Sequence, residues 1–372
     1  MTSKGEHKKH GDLERAKLGR FGRDEVAIYG TTCEDIKLFV SDLRNKVSGF
    51  DIAYVDADHN EHRQSIDGTH WQWQLNGAYI TRSIRDNDYF RRISLNHTDM
   101  VIVNGNHFEA TDQLVICNPE KEQSLRKRKD QLKNVVGLIC EGEIPSYIKE
   151  VIADYINIPV FRPGDFDAIA DFVKNKYLKP APLNALILTG GKSIRMGKDK
   201  SKINYHGKEQ SLHLADLVAQ LSIPVYISCR EDQKEFFESN QYKVITDRIH
   251  GIGPLGGIAS AFMSRPDDAW VVLACDLPLL DQSVISELVS KRNSAAVATS
   301  FKSPHDQFPE PLIAIWEPKS YPLLMQFIAQ GISCPRKVLL NSEAHIIEPT
   351  DPDKLTNVNT PDDLEDILHE IS

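Results

Sequence analysis

Beyond residue 182 this 372-residue chain repeats one pattern: a short continuous apolar run, a stretch with helical spacing, then another apolar run. The runs are 184–188, 224–228, 244–246, 270–275 and 295–299, and the helical stretches between them are 211–221, 231–239, 257–264 and 282–291. A strand apolar on both faces has to be covered on both sides. The alternation therefore predicts an α/β fold with a mostly parallel sheet and helices on each face. In such sheets ligands bind beyond the carboxyl ends of the strands. The residues that follow each apolar run are thus the first candidates for chemistry.

The sharpest boundary is Tyr177-Leu178-Lys179-Pro180-Ala181-Pro182, where a helical pattern (168–177) stops at prolines and a fresh apolar run begins. The first half has α/β character too, with apolar runs at 25–29, 51–55, 100–103, 113–117 and 135–139 and a helical stretch at 36–46. Residues 1–20 carry almost no apolar content and are expected to form a mobile tail. The expected organisation is a tail (1–20), a first domain (21–178) and a second (183–372).

Composition excludes several classes. An apolar fraction of 41% and a charged fraction of 26% are those of a soluble globular protein. No stretch reaches the roughly 20 apolar residues that a bilayer span needs, so no membrane is expected as a partner. The polar, basic start has no apolar segment behind it, so a secretory signal is not expected and the cytoplasm is the default. A net charge of −9 argues against nucleic acid as a partner. The one basic run, Arg126-Lys127-Arg128-Lys129, reads as a solvated helix face. Six scattered cysteines with no Cys-x-x-Cys pair read as reduced thiols.

The segment Leu186-Ile187-Leu188-Thr189-Gly190-Gly191-Lys192-Ser193-Ile194-Arg195-Met196-Gly197-Lys198-Asp199-Lys200 leaves an apolar run and enters a loop. Paired glycines let backbone N–H groups approach phosphate oxygens, and Arg195 and Lys200 supply charge to neutralise a polyphosphate. A Walker loop is excluded because Lys192 stands where its first glycine belongs and Asp199 follows Gly197-Lys198. A dinucleotide fingerprint is excluded because residues 192 and 195 are Lys and Arg. Asp276 ends the run 270–275, where a hard carboxylate suits Mg²⁺ or, more simply, caps the turn before Pro278. Asp247 follows the run 244–246, and Asn359-Thr360-Pro361-Asp362-Asp363 has the order of a helix start.

Four motifs in order, the glycine-rich loop, Asp247 before Gly251-Ile252-Gly253-Pro254-Leu255-Gly256-Gly257, Cys275-Asp276-Leu277-Pro278, and Asn357-Val358-Asn359-Thr360-Pro361, make residues 183–372 resemble the molybdenum cofactor guanylyltransferase (MobA) family. That resemblance implies a Rossmann-like nucleotidyltransferase fold, GTP and molybdopterin as substrates, and Mg²⁺ as cofactor. It also implies nucleotide binding by Leu188, Thr189, Gly190, Gly191, Lys200, Asp247 and Asp276, with Asp247 on guanosine. Catalytic roles would fall to Arg195, Lys200 and Asp276, with Asp276 the metal ligand and Asn357 and Asn359 facing the pterin phosphate or metal. Glu310-Pro311-Leu312 and Arg336-Lys337 lie where the family places its pterin-facing region. Cys229 stands where some relatives carry asparagine, before Arg230.

In the first half, Ala27-Ile28-Tyr29-Gly30-Thr31-Thr32-Cys33-Glu34-Asp35-Ile36 has the strand–loop–helix layout of a phosphate loop without its lysine. Glu34 and Asp35 stand where positive charge would be needed. This P-loop-like α/β layout with a degenerate loop resembles the GTP-binding MobB family, which occurs fused to the guanylyltransferase. The cluster Asp56, Asp58, His59, His62 raises a metal reading, against which a solvated loop is the plainer account. The combined expectation is a guanylyltransferase that joins GMP to the terminal phosphate of molybdopterin and releases pyrophosphate, and whose product passes to molybdoenzymes. The alternatives are a relative using CTP or another phosphorylated acceptor, and a non-catalytic cofactor chaperone.

Overall fold

The computed structural model describes residues 13–57, 69–74, 77–82, 87–189 and 203–358, and positions 360, 362, 363, 365, 367 and 369 near the C-terminus. The chain divides into two compact units, Lys17–Lys179 and Pro180–Ser372, the latter joined by Met1–Ala16.

In the first unit the order is β1 (Glu25–Tyr29), α1 (Cys33–Lys46), β2 (Ile52–Val55), β3 (Thr69–Gln74), β4 (Gly77–Arg82), α2 (Asp88–Leu95), β5 (Met100–Asn104), β6 (Asp112–Ile116), α3 (Glu122–Lys127), β7 (Val135–Ile139), α4 (Ser146–Val151), β8 (Val160–Phe161) and α5 (Phe166–Tyr177). Six of these strands form a sheet in the order β2-β5-β1-β6-β7-β8, with every pairing parallel. All five residues of β1 are buried, and Val26–Tyr29 accordingly read as an unbroken apolar run after the buried Glu25. Ile36, Val40 and Leu43 of α1 cover one face with Ile169 and Val173 of α5, while Phe21, Tyr147 and Ile148 cover the other. The antiparallel hairpin β3–β4 forms a separate two-stranded sheet with no counterpart among the expected elements.

One expectation changes here. Cys117, just beyond β6, and Cys140, just beyond β7, form a disulfide with their Cα atoms 5.0 Å apart, so the reading of all six cysteines as reduced thiols is corrected for this pair. Parallel pairing of β6 with β7 brings the two strand ends together, a proximity that a separation of 23 residues conceals. Residues 13–20 make hydrogen bonds and an ion pair. Glu14 N–H donates to Met263 O within the second unit, and Arg20 pairs with Glu109 at 2.7 Å within the first. The basic run starts on α3, where Arg126 pairs with Glu122 and Glu150.

In the second unit the order is β9 (Leu183–Leu188), α6 (Gln210–Ala219), β10 (Val225–Cys229), α7 (Lys234–Ser239), β11 (Lys243–Thr246), α8 (Pro254–Ser264), β12 (Ala269–Ala274), α9 (Gln282–Ser290), β13 (Ala298–Lys302), β14 (Pro309–Trp316), α10 (Ser320–Ala329), α11 (Pro335–Leu340) and β15 (His345–Ile347). Its sheet runs β11-β10-β9-β12-β14-β13-β15. The first four strands are mutually parallel, β14 is antiparallel to both β12 and β13, and β15 is parallel to β13. One face packs Leu214 and Val218 of α6 and Ile285 and Leu288 of α9. The other packs Ile258 and Phe262 of α8 and Leu324 of α10 around Trp270 and Trp316. No helix among the described residues is long and apolar enough to cross a membrane.

A buried ion pair ties the interior of this unit to its entry segment. Arg292 presents Nε and Nη2 to the two oxygens of Glu317 at 2.6 and 2.8 Å, and Nη2 also donates to Ala181 O at 3.0 Å. The side chains are only 11% and 2% exposed. Glu317→Ala leaves the guanidinium buried without its counter-charge and is expected to lower unfolding free energy by about 3 kcal/mol. Urea denaturation of the full chain measures this, and a loss below about 1 kcal/mol would mean the site is effectively solvated.

Candidate active site

Four parallel strands end on one edge, and the expected site residues of the second unit that are described gather along the carboxyl ends of those strands. Leu188 ends β9 and the buried Thr189 follows it, giving both its N–H and its hydroxyl to Ser228 O at 2.9 Å. Ser228 Oγ in turn donates to Asp247 Oδ1 at 3.1 Å, just past β11, while Asp247 N–H donates to Cys229 O. Burial pushes the Asp247 carboxyl above its ordinary range, partly offset by the Ser228 hydroxyl and by the nearby His250 and Arg230. Gly190, Gly191, Arg195 and Lys200, which carry the rest of the phosphate-loop expectation, lie outside the described residues.

Two glycines let α8 approach this edge. Gly253, at the N-cap, adopts φ +61°, a left-handed backbone that favours glycine, and Pro254 then starts the helix. At Gly257 a Cβ would lie 2.6 Å from Ser228 Oγ, 2.8 Å from Leu188 Cδ2 and 3.5 Å from Asp247 Oδ1. The helix can lie flush against the Ser228–Asp247 pair only because that atom is missing.

Asp276 stands on the other side of β9, two residues past the end of β12, which pairs directly with β9 through Ala274 and Leu188. Asp247 and Asp276 therefore flank Thr189, separated by three strand spacings, roughly 14 Å along the edge. The C-terminal motif closes on the same point, since Val358 N–H donates to Asp276 O at 2.9 Å. That bond sets the half-buried Asn357 beside the Asp276 turn; Asn359 lies outside the described residues. Tyr205 is buried near Asp276, and its phenol is pushed up to about 12 by burial, then by the charge of Asp276 and by Cys275.

Among the described residues no group of three or more His, Cys, Asp and Glu side chains could hold a metal ion. A single carboxylate at the strand edge fits a metal whose remaining ligands are phosphate oxygens and water, the usual manner of Mg²⁺. Further along the unit, Glu310 and Arg336 are brought together at 3.1 Å, and Asp306, which sequence reading missed, holds the second arm of the same guanidinium. Cys229 is fully buried, and its thiol is pushed up to about 12 by burial, then by the charge of Asp247. Arg230 forks onto Asp232 at 3.0 and 3.1 Å. Ser228 escaped notice in the sequence because it sits inside an apolar run.

The degenerate loop of the first unit is closed by its own side chains. Thr32 caps α1 by accepting from Asp35 N–H, and Asp35 accepts from Thr32 N–H and from the Thr31 hydroxyl at 2.6 Å. These bonds hold the Asp35 carboxyl below the usual range. The helix N-terminus that would otherwise receive a phosphate already faces a carboxylate. Of the expected acidic–histidine cluster, Asp56 accepts from Tyr54 OH and Asn104 Nδ2, and Asp58, His59 and His62 lie outside the described residues.

Residues 185–345 match the MobA-like NTP transferase domain family. The chain is 34% identical over 182 residues to the molybdenum cofactor biosynthesis bifunctional protein of Synechocystis, a match covering 49% of this chain and 52% of that one, so it spans about half the length of this relative. It is 32% identical over 196 residues to the molybdenum cofactor guanylyltransferase of Pseudomonas putida, covering 50% of this chain and 97% of that one. A solved structure, molybdopterin-guanine dinucleotide biosynthesis protein A from Archaeoglobus fulgidus, is similar with a TM-score of 0.42 and 24% identity, over 50% of this chain and 97% of that one. With nearly the whole of the Pseudomonas relative matched at this identity, the chain belongs to the molybdenum cofactor guanylyltransferase family.

Proposed function

We propose that the second unit transfers GMP from GTP to the terminal phosphate of molybdopterin, giving the guanine dinucleotide and pyrophosphate. The observation that carries this reading is the placement of Asp247, Thr189 and Asp276 along the edge of one parallel sheet. Asp247 lies at the end suited to a base and Asp276 at the end suited to a phosphate-bound metal. A carboxylate can accept both the N1–H and the exocyclic N–H of guanine, whereas cytosine offers it no such adjacent pair. The product would pass to molybdoenzymes as their cofactor.

The acceptor phosphate is already anionic, so the reaction needs no strong general base. A phosphate oxygen attacks the α-phosphorus, the bond from that phosphorus to the bridging oxygen breaks, and pyrophosphate leaves with the electron pair. Catalysis then rests on alignment and on charge neutralisation. A divalent cation, Mg²⁺ in this reading, would supply neutralisation of the phosphate charge when bound. Asp276 would hold that cation, Gly190 and Gly191 would offer N–H groups to the phosphates, Arg195 and Lys200 would compensate the charge of the triphosphate, and Asn357 and Asn359 would face the acceptor phosphate.

Pyrophosphate release from GTP should require molybdopterin and should fall about 100-fold or more in Lys200→Ala and in Asp276→Ala. Near-normal turnover in either purified variant would remove that residue from the machinery. CTP in place of GTP should be turned over poorly by the same preparation, and equal turnover would make the enzyme a relative with a different base preference.

Asp247 gives a pH dependence of defined sign. Because burial raises its carboxyl, the protonated form, which cannot accept both guanine N–H groups, persists to higher pH than in an exposed aspartate. KM for GTP should therefore rise as the medium is acidified through that raised value, and Asp247→Asn should show a high KM with the acid limb flattened. An unchanged KM profile in Asp247→Asn would place base recognition elsewhere.

We further propose that the first unit does not hydrolyse GTP and serves as a scaffold or docking domain. Its phosphate-loop lysine is missing and its helix N-terminus is occupied by Asp35. Inorganic phosphate release from GTP by the full chain should stay at the uncatalysed background in the wild type and in Thr31→Val. Robust release by the wild type that is lost in Thr31→Val would contradict this.

A further inference from the structure

The backbone that carries Asp276 is held to an unusual degree. Three consecutive carbonyls, those of Asp276, Leu277 and Pro278, each accept a hydrogen bond from outside the turn, two from the stretch entering α6 and one from the C-terminal motif. Val358 N–H takes Asp276 O at 2.9 Å, Gln210 Nε2 takes Leu277 O at 3.1 Å, and His206 Nε2 lies 2.8 Å from Pro278 O. A carbonyl can only accept, so His206 must carry its proton on Nε2. Leu280 N–H adds a long bond of 3.4 Å to Leu277 O.

Gln210 is not placed as stability alone would place it. Gln210 is fully buried at the first turn of α6, and its Oε1 has no hydrogen-bond partner among the described residues. An amide in an interior site with half its capacity unmet costs about 1–3 kcal/mol, which an apolar side chain of the same size would avoid. The His206 ring is fixed by stacking on His213, with centroids 4.0 Å apart and planes at 21°. The stacking and the bond to Pro278 O together fix the ring.

We propose that His206 and Gln210 are positioning residues that hold the Asp276 carboxylate in the orientation needed to take a divalent cation. The inference rests on the reading of Asp276 as the metal-binding carboxylate and goes beyond it. With its main-chain carbonyls tethered at three successive residues, the turn cannot rotate as charge arrives, and the carboxylate meets the cation without reorganisation. Groups that orient a ligand without touching the metal commonly set affinity as strongly as a direct contact.

The test uses the full chain and Mn²⁺, with free Mn²⁺ read by electron paramagnetic resonance in the presence of a GTP analogue bridged by methylene between its α- and β-phosphates. His206→Phe keeps a ring to stack on His213 and removes the donor, His206→Gln keeps an amide N–H at similar reach, and Gln210→Met keeps volume without a donor. The expected result is Mn²⁺ binding weakened on the order of tenfold in His206→Phe and Gln210→Met, near wild-type in His206→Gln, with Tm of all three close to the parent. Mn²⁺ affinity within about twofold of wild type in both donor-less variants overturns the proposal, as does equal weakening in His206→Gln and His206→Phe. Asp276→Ala separates the two levels of the account. If it binds Mn²⁺ as tightly as wild type, the metal assignment fails and the positioning role falls with it.

Discussion

Parallel pairing of β9 with a neighbour on each side governs everything else in the second unit. Register matches Ser228 of β10 and Ala274 of β12 to the same residue, Leu188 of β9, so the three strands end within one residue of each other. From that alignment come the Thr189–Ser228 bond, the Ser228–Asp247 bond and the position of Asp276 beyond the end of β12. A break in the register would scatter these groups, because no covalent feature holds them together. The helices α6, α8 and α9 cover both faces of the strands, and in sheets of this kind ligands bind beyond the carboxyl ends.

Much of this was legible in the sequence because fully buried parallel strands are continuous apolar runs. Expected runs at 184–188 and 270–275 fall within one residue of Leu183–Leu188 and Ala269–Ala274, and 135–139 coincides with Val135–Ile139. Elements without that signature stayed hidden. The strand β14 opens Pro309-Glu310-Pro311, two prolines that argue against a central strand, yet it lies between β12 and β13. The hairpin β3–β4 sets aromatic Trp71, Trp73 and Tyr79 among polar residues, and its longest apolar stretch is Ala78-Tyr79-Ile80, too short to read as a buried strand. Single motif residues such as Asp247 and Asp276 could be placed at strand ends from order alone. Ser228, His206, Gln210 and Asp306 could not, since their roles depend on neighbours far away in the chain.

The two units show what a phosphate site requires by contrast. Both place a buried parallel strand, β1 and β9, between two parallel neighbours, and in both the next described helix follows in sequence. In the first, the helix start is satisfied internally by Thr31, Thr32 and Asp35, so its N–H groups and local charge are already matched. In the second, the missing Cβ of Gly257 lets α8 lie against the Ser228–Asp247 pair, and Asp247 and Asp276 stand past the ends of β11 and β12. Architecture alone does not make a nucleotide site.

The central claim is transfer of the α-phosphoryl group with its guanosine, and its most direct test is isotopic. GTP labelled with ³²P at the α-position, incubated with the full chain, a divalent cation and molybdopterin, should deliver its label to the pterin product, while label at the γ-position should appear only in pyrophosphate. Label from the γ-position in the pterin, or α-label remaining in free GDP or GMP with no pterin adduct, would contradict the account.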